Sequence, residues 1–299
     1  MAAIDCGTNT IKLLIGDLPD VEVREMRMVR LGQDLDRTGR LADEALERAF
    51  AAIDEYADTI RAHGVPADRV RFVATSASRD ASNADVFVAG VRARLGVEPE
   101  VVSGAEEAAL SFDGAVRNLR TPPAEPVLVV DIGGGSTELI LGRSTPDAAH
   151  SMDVGSVRMH ERHLRSDPPT ADEVAACVAD VDAHLDTCPV DPAAAATVVG
   201  VAGTVTQLGA VLAGLPAYDR AAVDQLVVPA QDMYELVDRL LAMTVAERRA
   251  LPAMHPGRAD VIGAGALILE RVLRRSGAAA LVVSEADILD GIAWSIAGP

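Results

Sequence analysis

Aromatic residues and cysteine are scarce in this sequence, and each shortage limits what the protein can be. Aromatic side chains occupy 3% of the 299 positions whereas hydrophobic residues reach 49%, so a core must consist mainly of Ala, Val, Leu and Ile. The three cysteines, Cys6, Cys177 and Cys188, are odd in number and have no CxxC spacing. A disulfide scaffold is therefore excluded, and a reduced, cytoplasmic protein is expected.

Positive charge is also scarce, since 27 Lys and Arg face 45 Asp and Glu and leave a formal net charge of −18. Such an acidic surface argues against nucleic acid and membranes as partners. No hydrophobic run approaches the ~18 residues of a transmembrane helix. No basic leader precedes the first expected strand, so a signal peptide is not expected either. An anionic ligand would need local donors, a few arginines and metal cations.

The sequence does contain one motif that occurs twice. Residues 5–16, DCGTNTIKLLIG, align without a gap with residues 131–142, DIGGGSTELILG, at an offset of 126 positions. Each copy predicts a β-hairpin whose turn carries a carboxylate, hydroxyl groups and accessible backbone N–H groups. A single Asp-x-Gly turn is more often structural, but two matching turns favour two domains that bind phosphate.

The segment 120–126, with three prolines in seven residues, separates the two halves. We therefore expect an α/β protein with domains at 1–119 and 120–299, and the final helix is a candidate to cross back to the first domain. The patterns predict strands near 2–6, 11–18, 21–30, 69–75, 127–132, 137–143, 148–154, 197–202 and 280–284. They predict helices at 42–63, 83–95, 104–118, 156–165, 171–186, 204–213, 231–242, 244–250, 257–276 and 286–297.

Two adjacent glutamates open the helix expected at 104–118. Ser103 followed by Glu106 fits a capping box, which makes Glu106 a structural residue. Glu107 has no such explanation. It is either an exposed first-turn residue, the commoner case, or a general base that acts on water beside a phosphate.

Two further segments end a strand in polar residues. Arg79 follows the hydroxyl-rich run 75–78 and is either a surface residue or a phosphate clamp. Gly203 and Thr204 lie in a strand–glycine–helix turn, which is either a plain helix cap or a phosphate site.

Together these segments resemble the exopolyphosphatase and guanosine pentaphosphate phosphatase (Ppx/GppA) family, part of the actin, Hsp70 and sugar-kinase superfamily. The resemblance covers essentially the whole chain and follows the short form, without the C-terminal helical domain. The segments that carry it are DCGTNT at 5–10, ATSASR at 74–79, SGAEEA at 103–108, DIGGGSTE at 131–138, GSVR at 155–158, AGT at 202–204 and RAD at 258–260. Two departures are Cys6, in place of a small or aliphatic residue, and Leu289, where many relatives have arginine.

The resemblance implies two actin-like (ribonuclease H-like) domains with an active-site cleft between them. It implies hydrolysis of a terminal phosphoanhydride in inorganic polyphosphate, of short chains since no C-terminal domain extends the site. Glu107 would act on the attacking water, and Mg²⁺ or Mn²⁺ would be held by Asp131, Glu138 and Asp5. The implied phosphate-binding residues are Gly7, Thr8, Asn9, Thr10, Ser76, Arg79, Gly133, Gly134, Gly135, Ser136, Thr137, Gly203, Thr204 and Arg258.

Three alternatives remain open at this level. Hydrolysis of pppGpp would use the same groups. A kinase of the superfamily would need a base directed at an acceptor hydroxyl, and a nucleotide sensor would bind without turnover. A homodimer is an alternative to a monomer.

Overall fold

The computed structural model describes residues 1–18 and 20–297. The chain divides into two compact units, one formed by Met1–Gly114 with the chain from Ile288 onward, the other by Ala115–Asp287. Domain limits at 119 and 120 were expected from the sequence, and the final helix here belongs to the first unit. No helix within the described part of the chain combines the length and apolar character needed to cross a membrane.

Eleven strands are assigned in the described residues, and they form two sheets, one in each unit. The first unit contains β1 (Ala2–Cys6), β2 (Thr10–Asp17), β3 (Asp20–Met28), β4 (Val70–Ala74) and β5 (Glu100–Val101). The second unit contains β6 (Val127–Ile132), β7 (Thr137–Gly142), β8 (Pro146–Met152), β9 (Thr197–Val201), β10 (Val227–Pro229) and β11 (Ala280–Val283).

Along the described residues, groups of one to three α-helices alternate with groups of one to three strands. The helices are α1 (Leu35–Thr38), α2 (Asp43–Ala62), α3 (Ser76–Asp80), α4 (Ala84–Leu95), α5 (Gly104–Arg117), α6 (Ser156–His163), α7 (Ala171–Thr187), α8 (Ala202–Leu212), α9 (Arg220–Val223), α10 (Ala230–Ala242), α11 (Val245–Arg249), α12 (Ile262–Ser276) and α13 (Ile288–Ala297).

The sheet of the first unit has the order β3-β2-β1-β4-β5. Its first three strands are antiparallel, whereas β1, β4 and β5 run parallel. Every residue of β1 is buried, because α2 and α4 cover one face of the sheet and α13 covers the other. The main core contains the large side chains of Tyr56, Phe72 and Phe87, all fully buried.

The sheet of the second unit has the order β10-β11-β9-β6-β7-β8. Strands β11, β9 and β6 are parallel, and β6, β7 and β8 form an antiparallel meander. The carboxyl ends of the three parallel strands therefore meet at one edge, the usual place for ligands in α/β sheets. One contiguous core packs α7, α8, α10 and α12 around this sheet.

The predicted α/β fold class is confirmed, and each predicted strand and helix is present within a few residues. Short elements were missed, namely α1, α3, α9, β5 and β10. The helix predicted from residue 257 begins only at Ile262, because Arg258–Val261 form hydrogen-bonded turns first.

Candidate functional site

The loop between β1 and β2 leaves a backbone N–H group available for a ligand. The N–H of Gly7 donates to the Thr10 carbonyl at 2.9 Å and closes the turn. The Thr8 carbonyl accepts from Gly32, and the Asn9 carbonyl accepts from Val29 and Arg30. Because the C=O and the next N–H of a planar peptide point in opposite directions, the Asn9 N–H, which shares its peptide with the Thr8 carbonyl, faces away from Gly32. It has no acceptor among the described residues.

Two of the three hydroxyls expected to bind phosphate in the first unit lie together, those of Thr8 and Ser76. Thr8 Oγ1 and Ser76 Oγ are 2.9 Å apart, and both residues are buried. Gly32 lies against Thr8, and a Cβ at that glycine would come within 2.3 Å of Thr8 Cγ2. Ser76 and Arg79 are three residues apart on α3 and so share a face of that helix.

Arg79 contacts Glu107, the residue expected to act on water. Its Nη1 donates to Glu107 Oε2 and to the Val102 carbonyl, both at 3.0 Å. The Glu107 side chain is buried in the first turn of α5 whereas Arg79 is partly exposed, so this ion pair is partly shielded from solvent. The Nη2 and Nε groups of Arg79 have no acceptor in the described residues. The guanidinium can thus orient Glu107 and still bind an anion.

Glu106 has a different environment. Its backbone N–H donates to Ser103 Oγ at 3.2 Å, as in the predicted capping box. Its carboxylate accepts instead from Arg71 Nη2 at 3.2 Å, next to the Arg71–Glu100 ion pair. Its contact with Arg71 joins α5 to the sheet. Because Glu106 is exposed, its carboxylate is not directed at a buried ligand.

Asp5 is paired with a lysine that the sequence analysis did not single out. Register places Asp5 opposite Lys12, and Lys12 Nζ lies 3.3 Å from Asp5 Oδ2. Lys12 occupies the position that Glu138 occupies in the second copy of the motif. The alignment of the two copies contains this difference and could have revealed it. The adjoining Cys6 thiol is inert, because burial raises its pKa.

In the second unit, α6 fixes the three glycines of the loop between β6 and β7. The carbonyls of Gly133 and Gly134 accept from N–H groups of the first turn of α6, and the Gly135 carbonyl accepts from Arg158 Nε at 2.8 Å. By peptide planarity the N–H groups of Gly134, Gly135 and Ser136 then face away from α6. None has an acceptor in the described ranges. Three such N–H groups in succession form a concave anion site.

Asp131 and Glu138 face each other across β6 and β7. They are direct register partners, and both are almost fully buried. Ser151 on β8 donates to Glu138 Oε1 at 2.7 Å and orients it. Two adjacent buried carboxylates repel each other unless a cation or a proton lies with them.

This pair fits a magnesium site better than a closed structural site. Within residues 1–18 and 20–297, no three His, Cys, Asp or Glu side chains converge in a form that could hold a metal. Magnesium prefers one or two carboxylates together with waters and phosphate oxygens, which suits Asp131 and Glu138. Asp5 lies in the first unit with the ammonium group of Lys12 beside it, and its role as a third ligand stays a prediction.

The turn before α8 carries a strained residue and a stacked arginine. Ala202, the first residue of α8, has φ +64°, a left-handed conformation that costs ~1–2 kcal/mol for a non-glycine residue. Gly203 lies against the Arg258 guanidinium, and a Cβ there would come within 2.1 Å of Arg258 Nη2. Only glycine allows this contact.

The Arg258 side chain makes no hydrogen bond or ion pair with the described residues, although the residue is half-buried. Burial lowers the pKa of its guanidinium, while Tyr218, Glu285 and Asp287 act in the opposite direction. A cation at the positive end of a helix is unfavourable unless an anion joins it. This arrangement therefore points to an anionic ligand at the carboxyl end of β9.

The side chains of Thr137, Asn9 and Leu289 have three different surroundings. Thr137 is fully buried and donates its hydroxyl to the Val154 carbonyl at 2.6 Å, so its proton is used within the protein. Asn9 is buried, and its Oδ1 has no hydrogen-bond partner among the described residues. Leu289, which replaces an arginine of many relatives, is buried in an apolar cluster with Ala3 and Val73.

Comparison with known proteins gives one consistent family. The model of the Ppx/GppA phosphatase family matches residues 16–298. Exopolyphosphatase 2 of Mycobacterium tuberculosis (strain ATCC 25618 / H37Rv) is 49% identical over 320 aligned positions, which cover 100% of this chain and 98% of that protein. Guanosine-5'-triphosphate,3'-diphosphate pyrophosphatase of Photobacterium profundum is 29% identical over 99% of this chain and 56% of that enzyme.

Solved structures that resemble this chain include exopolyphosphatases as well. The crystal structure of an exopolyphosphatase-like protein gives a TM-score of 0.93 at 46% identity and covers 97% of this chain and 96% of the other. An exopolyphosphatase from Cytophaga hutchinsonii ATCC 33406 gives a TM-score of 0.88 at 27% identity, with 97% and 95% covered. The resemblance found in the motifs is confirmed, and with it the expectation of a phosphoanhydride hydrolase.

Proposed function

The chain belongs to the Ppx/GppA phosphatase family, and we propose that it is an exopolyphosphatase that releases orthophosphate from the end of short inorganic polyphosphate chains. The observation that carries the proposal is the loop of the second unit. Its three N–H groups face away from α6, and the paired carboxylates Asp131 and Glu138 lie at its base. This combination suits a phosphoryl group together with a divalent cation.

Glu107 is the proposed general base. Arg79 holds its Oε2, and this fixes the direction of the carboxylate toward an attacking water. The water gives its proton to Glu107 as its oxygen bonds to the terminal phosphorus, and the bridging oxygen leaves with the rest of the chain.

Each unit, taken by itself, supplies fixed donors that suit phosphate. In the second unit these are the N–H groups of Gly134, Gly135 and Ser136 and the N-terminus of α8 with Thr204 at the transferred phosphoryl group, and Arg258 at the phosphates beyond it. In the first unit they are the hydroxyls of Thr8 and Ser76 and the remaining N–H groups of Arg79. Donors fixed in this way need no reorganisation during the reaction.

Asp131 and Glu138 are the proposed ligands of Mg²⁺ or Mn²⁺, and Ser151 orients Glu138. When bound, the cation would neutralise charge on phosphate oxygens. The first unit has Lys12 at the matching position, so we place no metal ligand there.

The proposal is tested by orthophosphate release from polyphosphates of defined length, with pppGpp and ATP in parallel and with Glu107→Gln as the inactive control. Polyphosphate should be hydrolysed with the highest kcat/KM. A clear preference for pppGpp would replace the proposal with the second activity named among the relatives. Turnover of none of these substrates by the folded protein would contradict both.

A further inference from the structure

Gln207 lies on α8, one turn after Thr204, and is almost fully buried. Its Nε2 donates to the Ala253 carbonyl at 2.6 Å, and its Oε1 accepts from the His255 N–H at 3.0 Å. One partner is a hydrogen-bond acceptor and the other is a donor, and this fixes which way round the Gln207 amide lies. One side chain on α8 thus holds the backbone of residues 253–255 at two points.

The segment that Gln207 holds leads directly to Arg258. The Arg258 N–H donates to the His255 carbonyl at 2.9 Å, and the Gly257 N–H donates to His255 Nδ1 at 3.1 Å. The Arg258 carbonyl in turn accepts from Ile262 at the start of α12. The backbone on both sides of Arg258 is therefore fixed, on one side through Gln207.

The position of the Arg258 guanidinium depends on this backbone and on its contact with Gly203. The guanidinium makes no hydrogen bond or ion pair in the described parts of the chain, and it lies on Gly203, four residues before Gln207. One helix therefore supplies both the surface under the guanidinium and the anchor of its backbone. The Arg258 side chain keeps its donors available for a ligand.

We propose that Gln207 is a positioning residue. It anchors residues 253–258 to α8 and so holds Arg258 where its guanidinium reaches substrate phosphate. The proposal rests on the proposed function, in which Arg258 binds phosphates beyond the reacting one. Removing the anchor should therefore raise KM and leave kcat nearly unchanged, since Glu107 and the loop at 133–136 are untouched.

The test is a double-mutant cycle with Gln207→Leu and Arg258→Ala, measured with a short polyphosphate. We expect Gln207→Leu to raise KM about 5- to 10-fold, with kcat within about twofold. In the Arg258→Ala background the same change should raise KM less than about twofold. Gln207→Glu keeps the bond to His255 and loses the bond to Ala253, so its KM should be intermediate. This variant replaces Gln207→Leu in the cycle if Gln207→Leu does not fold.

Leu185→Ala is the matched control, because it weakens the core of the same unit from α7, which carries neither Gln207 nor residues 253–258. It should lower the melting temperature without changing KM. Equal effects of Gln207→Leu in both backgrounds would show that Gln207 does not act through Arg258. A raised KM in Arg258→Ala but not in Gln207→Leu would overturn the role of Gln207 alone. An unchanged KM in Arg258→Ala would overturn the role of Arg258 and this proposal together.

Discussion

Glu106 and Glu107 show how adjacent residues of one type differ in role at the scale of single side chains. Glu107 is buried against Arg79, whereas Glu106 is exposed and pairs with Arg71. We expect Glu107→Gln to lower kcat about 10²- to 10⁴-fold, the usual effect of losing a general base, without lowering the melting temperature sharply. Phosphate release and thermal unfolding measure the two effects.

The neighbouring substitution is the control for this prediction. Glu106→Gln removes an exposed ion pair and should cost less than about 1 kcal/mol of the free energy of unfolding. Its kcat should stay within about twofold of the unchanged protein. An inactive Glu106→Gln beside an active Glu107→Gln would reverse the assignment.

Asp131 and Glu138 face each other, whereas Asp5 faces Lys12. Substitutions of these carboxylates should therefore affect metal binding differently. Asp131→Asn and Glu138→Gln should weaken Mn²⁺ binding by at least about tenfold, and Ser151→Ala by roughly tenfold through Glu138. Asp5→Asn should leave Mn²⁺ affinity within about twofold, because Lys12 already neutralises Asp5.

Calorimetric or paramagnetic titration of Mn²⁺ measures this directly and does not depend on turnover. Circular dichroism of each variant serves as the folding control. A loss of Mn²⁺ affinity in Asp5→Asn equal to that in Asp131→Asn would restore Asp5 as a ligand.

At the scale of secondary-structure elements, the sequence predicts the hairpins well because each combines alternating apolar residues with a short polar turn. The two copies of the motif also predict which residues face each other, since Asp131 and Glu138 are register partners as Asp5 and Lys12 are. The start of α12 could not be predicted this way. It follows a segment that Gln207 holds through hydrogen bonds to Ala253 and His255, and Gln207 lies 46 and 48 positions before these residues.

Left-handed Ala202 is another feature that local propensity cannot predict. Alanine favours right-handed helix, and only the surrounding turn holds it at φ +64°. The contact of α6 with the loop at 133–136 likewise joins segments about 20 residues apart through carbonyl groups, which carry no sequence signal.

Gly155 makes the contact between α6 and the phosphate loop testable. Its φ of −145° suits any residue, but a Cβ there would lie 2.4 Å from the Gly134 carbonyl oxygen. Gly155→Ala should therefore push the loop away from α6, destabilise the protein by ~1–3 kcal/mol and lower kcat/KM at least tenfold.

Gly263 within α12 provides the matched control. A Cβ there meets only Arg248 Nη1 and Leu241 Cδ2, both at 3.4 Å, an ordinary contact distance. Gly263→Ala should keep full kcat/KM and gain up to ~1 kcal/mol from helix propensity. If both alanines left kcat/KM unchanged, the loop would not depend on its packing against α6.

At the scale of the whole molecule, the net charge of −18 opposes the binding of a long polyanion. The groups proposed to bind phosphate are local, namely N–H groups, hydroxyls and a few arginines, and they attract only the units that reach them. The remaining units of a long chain meet an acidic surface, which repels them more strongly at low ionic strength, where the Debye length is longer. We therefore expect kcat/KM per chain to stay level or fall as polyphosphate lengthens.

Added salt should then favour long chains relative to short ones, because it screens the repulsion while the contacts at the reacting end stay the same. The measurement is kcat/KM for polyphosphates of several defined lengths at two ionic strengths, with product distributions resolved by electrophoresis. Tripolyphosphate serves as the short reference, since little of it extends beyond the local donors. A steep rise of kcat/KM with length, with only intact chains and orthophosphate among the products, would reveal a long binding track that the net charge does not predict.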